Sequence, residues 1–264
     1  MLLTIDIGNT NIVAAIFEGE KLIQQWRIHS DAQRTSDEYG SILGNFFRDE
    51  HIELKNIQSA VISSVVPSLT GPLIRVCERL IGKKPIIVNP TIFDKLPITI
   101  PPTAIHEIGT DLVCNALEAY CQCKQACIVV DFGTALTFTS IDTQGNIQGV
   151  AIAPGIGTAV KSLFRNAAQL PSVPLEAPPN SLGTNTIHSI QAGIILGYKG
   201  LVEELIRKIK EDLEQFAQCK KEDILVIATG GLNSVLKPLT DIFQIVDKEL
   251  TLKGLKRITE YVTE

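Results

Sequence analysis

No run in this chain reaches the ~18 continuous apolar residues of a membrane-spanning helix. The amino terminus, Met-Leu-Leu-Thr-Ile-Asp, has neither the basic stretch nor the cleavage site of a secretory signal, so a cytoplasmic chain without membrane attachment is expected. Basic residues are in the minority: 24 Lys and Arg against 29 Asp and Glu leave a net charge of −5. With no Lys/Arg cluster, that balance argues against nucleic acid as a partner, because phosphate backbones attract basic surfaces. C-x-x-C pairs are absent too. The six cysteines are Cys77, Cys114, Cys121, Cys123, Cys127 and Cys219, and they are expected as reduced thiols, partly core filler, not as a zinc site. His29, His51, His106 and His188 include no ligand-spaced pair. The phosphate loop G-x-x-x-x-G-K-[ST], the dinucleotide fingerprint G-x-G-x-x-G and the nucleophile elbow G-x-S-x-G are all missing.

What is present is a core-forming composition, 45% apolar over 264 residues, enough for one large domain or two half-size ones. The chain also repeats itself. With Asp6 laid on Asp131, "LLTIDIGNTNIVAAIFEGEKLIQQ" lies over "ACIVVDFGTALTFTSIDTQGNIQGV", so that Gly8 meets Gly133 and Ile16 meets Ile141. Each copy reads as three short strands joined by tight turns, the third near 21–28 and 146–152.

A helix follows in each half. In "RTSDEYGSILGNFFRD" it carries Ile42, Leu43, Phe46 and Phe47 on one face, with Thr35 and Glu38 spaced for a capping box; in the second half it runs from Ile187 to about Phe216. Buried strands are expected at 59–67 and 223–231, short helices at 68–81 and about 232–238, and closing strands at 85–89 and 243–247. The order βββαβαβ therefore occurs twice. It implies an α/β fold with mixed sheets and helices on their faces. Two such halves, 1–115 and 116–264, are expected to face each other across a cleft. The stretches 98–109 and 170–183 read as irregular.

The turns carry the chemistry. A carboxylate at the end of a buried strand is costly unless it is paired or meets a cation. Asp6 is followed by Gly8, Asn9 and Thr10. Asp131 is followed by Gly133, Thr134 and Thr137. Glycine lets a backbone approach a bulky anion, and Mg²⁺ favours carboxylate and phosphate oxygens. Two such turns suit a metal-bound polyphosphate, whereas either turn alone is equally an ordinary hairpin. Thr229-Gly230-Gly231 ends a strand, and Pro154, Gly155 and Gly157 reverse the chain. Asp111 opens a helix after Gly109-Thr110, either as an N-cap or as a base that orients a substrate hydroxyl. Thr184 and Thr186 precede the long helix, to cap it or to bind a ligand.

"DIGNTN", "GTD", "DFGTALTF", "APG", "GTNT" and "ATGGL", in this order and spacing, resemble the type III pantothenate kinases, of the superfamily of actin, Hsp70 and acetate/sugar kinases. The likeness covers essentially the whole chain, including "RIHSDAQRTSDEYG", "ISSVVPSLT", "SLFRNAAQLP" and "DKELTLKGLK". It implies duplicated ribonuclease H-like halves and the reaction ATP + pantothenate → ADP + 4′-phosphopantothenate, the first step of coenzyme A synthesis. It implies that Asp6, Ile7, Gly8, Asn9, Thr10, Asn11, Ile12 and Val13 bind the ATP phosphates, with Asp6 near Mg²⁺, and that Thr134 contacts ATP. Asp131 would hold a monovalent cation, K⁺ or NH₄⁺, and Asp111 would accept the proton. Gly109, Thr110, Asp111, Leu112 and Thr186 would line the pantothenate pocket, and the protein would be a homodimer.

Two departures from the family pattern stand out. The family usually reads G-A-D-R where this chain has Gly109-Thr110-Asp111-Leu112, and leucine cannot donate to an anion as the lost arginine does. A tyrosine of the family's pantothenate pocket has no counterpart around Ile100-Pro101-Pro102. A kinase for another small hydroxyl compound, or a nucleotide-binding regulator with little turnover, is the alternative.

Overall fold

Apolar residues fill the first strand almost without break, as a strand covered on both faces requires. In the computed structural model, which describes residues 1–167, 170–217, 219–231 and 233–263, β1 (Leu2–Ile7), β2 (Asn11–Glu18) and β3 (Lys21–His29) form an antiparallel meander. Helix α1 (Ser36–Asp49) begins with the capping box expected from the sequence. The Glu38 N–H donates to Thr35 Oγ1 at 3.3 Å and the Thr35 N–H to Glu38 Oε2 at 2.7 Å. Strand β4 (Ser59–Ser64) lies parallel to β1. It stops earlier than expected because Pro67 opens α2 (Pro67–Ile81), where a missing N–H costs nothing. Gly82, with φ +69°, closes that helix. The short β5 (Ile86–Ile87) completes a sheet of order β3-β2-β1-β4-β5. Leu3, Ile5 and Ile7 point to one face, packed with Tyr39, Leu43 and Phe47 of α1 and Leu69 and Leu73 of α2. Burying each large apolar side chain of this kind contributes about 1.5–3 kcal/mol.

The second half begins after α3 (Thr110–Cys123). Strands β6 (Cys127–Phe132), β7 (Ala135–Ile141) and β8 (Ile147–Pro154) repeat the meander. Helix α4 (Ile156–Asn166) follows at once, where the sequence suggested only a chain reversal. The long helix is continuous in three pieces: α5 (Thr186–Gln191), a π-helical stretch (Ala192–Leu196) and α6 (Gly197–Ala217). Strand β9 (Leu225–Gly230), α7 (Asn233–Leu236) and β10 (Ile245–Val246) close a sheet of order β10-β9-β6-β7-β8. This is the first sheet's order over again. Leu232, where the short helix was expected to begin, lies outside the described residues.

The registers correct one detail of the repeat. Ile7 pairs with Ile12 across four turn residues, but Phe132 pairs with Leu136 across three. Phe17, not Ile16, is therefore the counterpart of Ile141. Leu2 faces Phe17 as Cys127 faces Ile141, and the bulges fall at Ile16/Phe17 and Ser140/Ile141.

Two compact units result: Met1–Glu118 together with the chain from Leu250 onward, and Ala119–Glu249. The last helix, α8 (Leu250–Thr263), was not foreseen and belongs to the first unit. Its Leu252 packs on Ala15 and Phe17, on the sheet face opposite α1 and α2. Its buried Lys256 donates to Glu20 Oε1 at 2.5 Å and also reaches Glu260, and Arg257 reaches the buried Glu118 at 3.3 Å.

Candidate active site

In the first unit the strand ends do the positioning. Asp6, half-buried and next to last in β1, stands in register with Val13 on one side and with the buried Ser63 of β4 on the other. The turn after it is closed by the Gly8 N–H donating to Asn11 O at 3.0 Å. Ser30, just past β3, grips the same turn twice: its hydroxyl donates to Gly8 O at 2.6 Å and its N–H to Thr10 O at 3.0 Å. Asp31 is riveted in turn by the buried Tyr39, whose hydroxyl accepts from the Asp31 N–H and donates to the Asp31 carbonyl, both at 2.9 Å. The sequence did not single out Ser30. The pairing of Asn11 with His29 is what brings it there. Ile7 and Ile12 have no exposed surface and belong to the core, so only their backbone is available to a ligand. Asn9 is exposed, and Gly8, Thr10, Asn11 and Val13 are half-buried.

Asp111 sits one residue inside α3 and is therefore not the N-cap. It is half-buried. Burial pushes its carboxyl above the ordinary aspartate value, against the opposing pull of backbone N–H donors that include Leu112, 2.9 Å from Oδ1. A Cβ on Gly109 would stand 2.4 Å from Asp111 Oδ1, so glycine there leaves room for the carboxylate. Leu112 itself is buried. Thr110 turns its hydroxyl to the end of β4, 2.9 Å from Ser63 Oγ. It accepts from the Ser64 N–H at 3.0 Å and donates to Ser64 O at 3.2 Å. Beneath them lies the thiol of Cys114. Burial raises it well above the usual range, and the charges of Asp6 and Asp111 raise it further, so it stays protonated. Ser63 is what brings the two carboxylates to one end of the sheet: it is the register neighbour of Asp6, and its hydroxyl meets Thr110, the chain neighbour of Asp111.

The second unit builds its own cradle around Asp131, half-buried at the end of β6. Asp131 pairs with Thr137 of β7 and Thr229 of β9, both buried. Gly230, at φ +85°, lies so close that a Cβ would come within 2.6 Å of Asp131 Oδ1. The Thr137 hydroxyl is buried with no hydrogen-bond partner among the described residues. Thr134 is exposed in the β6–β7 turn. Its carbonyl accepts from the Gly155 N–H at 3.0 Å and from Thr158 Oγ1 at 2.7 Å, so the start of α4 is fastened to that turn. Pro154-Gly155 is thus a strand-to-helix junction. A Cβ on Gly155 would come within 2.3 Å of Gly133 O, which is why the position needs glycine.

Thr186 opens α5 exposed, but neither it nor Thr184 is the cap. Asn185 Oδ1 takes the His188 N–H at 2.9 Å. Thr184, Thr186, Ser189, Leu163 and Gly193 of the π-helical stretch line a cavity of about 540 Å³. Short π-helical stretches inside α-helices occur frequently at functional sites.

Among the described residues no group of three or more His, Cys, Asp or Glu could hold a metal ion. A cation here would depend on single carboxylates, hydroxyls and ligand oxygens, the manner of Mg²⁺ and other hard ions. No described helix is long and apolar enough to cross a membrane.

Comparison with known proteins extends this. The family model of type III pantothenate kinase matches residues 2–208. The type III pantothenate kinase of Geobacter sulfurreducens is 41% identical over 260 residues, covering 98% of each chain. That of Syntrophus aciditrophicus is 42% identical over 258 residues, again 98% of each, and that of Moorella thermoacetica 42% over 260, covering 98% of this chain and 99% of its own. Two solved structures share the fold at low identity. One is MreB5 of Spiroplasma citri bound to ADP, with TM-score 0.57 and 11% identity. The other is the activator of the 2-hydroxyisocaproyl-CoA dehydratase from Clostridium difficile with bound ADPNP, with TM-score 0.56 and 12% identity. Each alignment covers 99% of this chain and 96% of the other.

Proposed function

The chain belongs to the type III pantothenate kinase family, and from that footing we propose how its own residues carry out the ATP-dependent phosphorylation of pantothenate, the first step of coenzyme A biosynthesis. The turn Asp6–Val13 holds the ATP phosphates: Gly8 admits them to the backbone, and Asn9, Thr10 and Asn11 supply polar groups. Asp6 stands near the divalent metal. Thr134 contacts ATP. Asp111 accepts the proton of the pantothenate hydroxyl as that oxygen bonds to the γ-phosphorus and the bond to the β–γ bridging oxygen breaks, releasing ADP.

What supports this reading most is a pair of carboxylates tied to one residue: Asp6 is the register neighbour of Ser63, and Thr110, next to Asp111, lies 2.9 Å from Ser63 Oγ. One follows a strand into a turn gripped by Ser30. The other is raised by burial, as suits a proton acceptor. Phosphoryl transfer asks chiefly for position and charge neutralisation, so a carboxylate base suffices. The residues fit the metal that the family's activity brings. Asp6 offers a hard oxygen donor at the mouth of the turn, and a bound Mg²⁺ supplies neutralisation of phosphate charge.

Asp131 holds the monovalent cation, K⁺ or NH₄⁺. In favour is the donor set: a half-buried carboxylate in register with two buried hydroxyls, one of them, Thr137, without a partner among the described residues. Gly109, Thr110, Asp111 and Leu112 line the pantothenate pocket, and Thr186, beside the cavity of its own unit, is a further pantothenate-binding residue. Leu112 gives an apolar wall where the family usually has arginine. The enzyme works in the cytoplasm as a homodimer. A second copy is favoured by the apolar surface of the second unit, where Ile152 is 70% and Leu182 83% exposed.

Coupled ADP release with pantothenate, with and without K⁺, tests these assignments. Turnover should require K⁺, and Asp131→Asn should abolish that requirement together with most of the rate. Full K⁺-dependent turnover in Asp131→Asn would remove Asp131 from the cation site.

A further inference from the structure

The hydroxyl of Thr110 makes three hydrogen-bond contacts between the two proposed reacting ends of the first unit. It meets Ser63 Oγ, the Ser64 N–H and the Ser64 carbonyl, all at the end of β4. Ser63 is the register neighbour of Asp6. Thr110 is the chain neighbour of Asp111 and the first residue of α3. The Asp111 carboxylate accepts from its own helix, at the Leu112 N–H, and Leu112 is apolar.

We propose that Thr110 is a positioning residue for phosphoryl transfer: its hydroxyl fastens the first turn of α3 to the end of β4 beside Asp6, and so fixes where Asp111 meets the acceptor hydroxyl. The inference rests on the reading of Asp111 as proton acceptor. Without this hydroxyl the first turn of α3 would be held at the end of β4 chiefly by the packing of the fully buried Val113, Cys114 and Leu117, since the helix's bonds between Asn115 and Thr251 and between Glu118 and Arg257 lie farther along and reach α8. Packing of that kind tolerates shifts of a fraction of an ångström, whereas three hydrogen bonds on one atom do not. A misplacement of about 1 Å in a reacting group can cost on the order of 100-fold in rate. The effect belongs in kcat, since the ATP turn at Gly8–Asn11 is held separately by Ser30.

The experiment compares Thr110→Val, which keeps the shape and removes the hydroxyl, with Thr110→Ser, which keeps the hydroxyl. Steady-state kinetics, ATP binding and thermal midpoint are measured for each. Expected is a fall in kcat of about tenfold or more in Thr110→Val, with ATP affinity and midpoint close to wild type, and recovery of most of the rate in Thr110→Ser. Wild-type kcat in Thr110→Val would overturn the inference. So would a parallel loss of rate, ATP affinity and midpoint, or a failure of serine to rescue, because either would mean a merely structural residue. Asp111→Asn run alongside separates the two layers. If it retains transfer, the base assignment falls. If it is inactive while Thr110→Val turns over normally, only the positioning role falls.

Discussion

Asp111 is a carboxyl whose folded environment favours its protonated form, because burial outweighs the backbone donors. The sign follows directly. Between the ordinary aspartate value and the raised one, the folded chain keeps a proton the unfolded chain has lost, so stability declines as pH rises through that window. The proposed role as proton acceptor needs the ionised form, so the acid limb of kcat/KM should lie above the value of a free aspartate. Asp111→Asn should therefore do two opposite things. It should abolish transfer while leaving ATP binding nearly unchanged, and its thermal midpoint at neutral pH should equal or exceed that of wild type. A less stable Asp111→Asn would mean that the carboxylate is a structural partner. Ser30 makes the complementary case on the nucleotide side. Ser30→Ala removes the hydroxyl bond to Gly8 but keeps the N–H bond to Thr10. One hydrogen bond is worth about 0.5–1.5 kcal/mol net, so the KM for ATP should rise about threefold to tenfold with kcat held. An unchanged KM would release the turn from Ser30's control.

Among the elements, α8 shows what decides a helix when propensity and packing disagree. Gly254 lies inside it, where alanine would normally gain about 1 kcal/mol. A Cβ there would stand 2.1 Å from the Cys114 carbonyl oxygen and 2.6 Å from its carbon, atoms of a backbone that cannot step aside. Overpacking should win. Gly254→Ala is expected to lose about 1–3 kcal/mol in a denaturant titration, and a gain would show that α3 and α8 sit more loosely than their contact implies. The same helix marks where the sequence stopped being legible. Strands β1 to β4, the capping box of α1 and the long α5–α6 run were readable because their signals are local: alternation, Thr35 with Glu38, and turn residues between apolar runs. Helix α8 pairs with Ala15, Phe17 and Glu20, more than 200 positions away, and no local pattern specifies that partner. Helix α4 was hidden differently. Pro154, Gly155 and Gly157 look like a loop, but Gly155 is there to pass the carbonyls of Gly133 and Thr134.

At the scale of the molecule, one sheet pattern is built twice, and each copy carries an aspartate next to last in its first strand, before a glycine turn. That duplication was visible in the sequence because strand register keeps side-chain identity in phase. It slipped by one residue after the second turn because three turn residues there replace four. The carboxylates were legible as candidates. Ser30 and Thr158 were not, and Thr110 was named only as a pocket residue, since a hydroxyl's partner across strands leaves no periodic mark. The family likeness supplied the chemistry that these turns alone left open.

Mass spectrometry of a reaction containing ATP, Mg²⁺, K⁺ and pantothenate asks the central question outright. One singly phosphorylated pantothenate should appear for each ADP released, and neither product should accumulate with Asp111→Asn. ATP bound with pantothenate left unmodified, or a phosphoryl group found only on some other alcohol, would contradict the assignment of this chain as a pantothenate kinase.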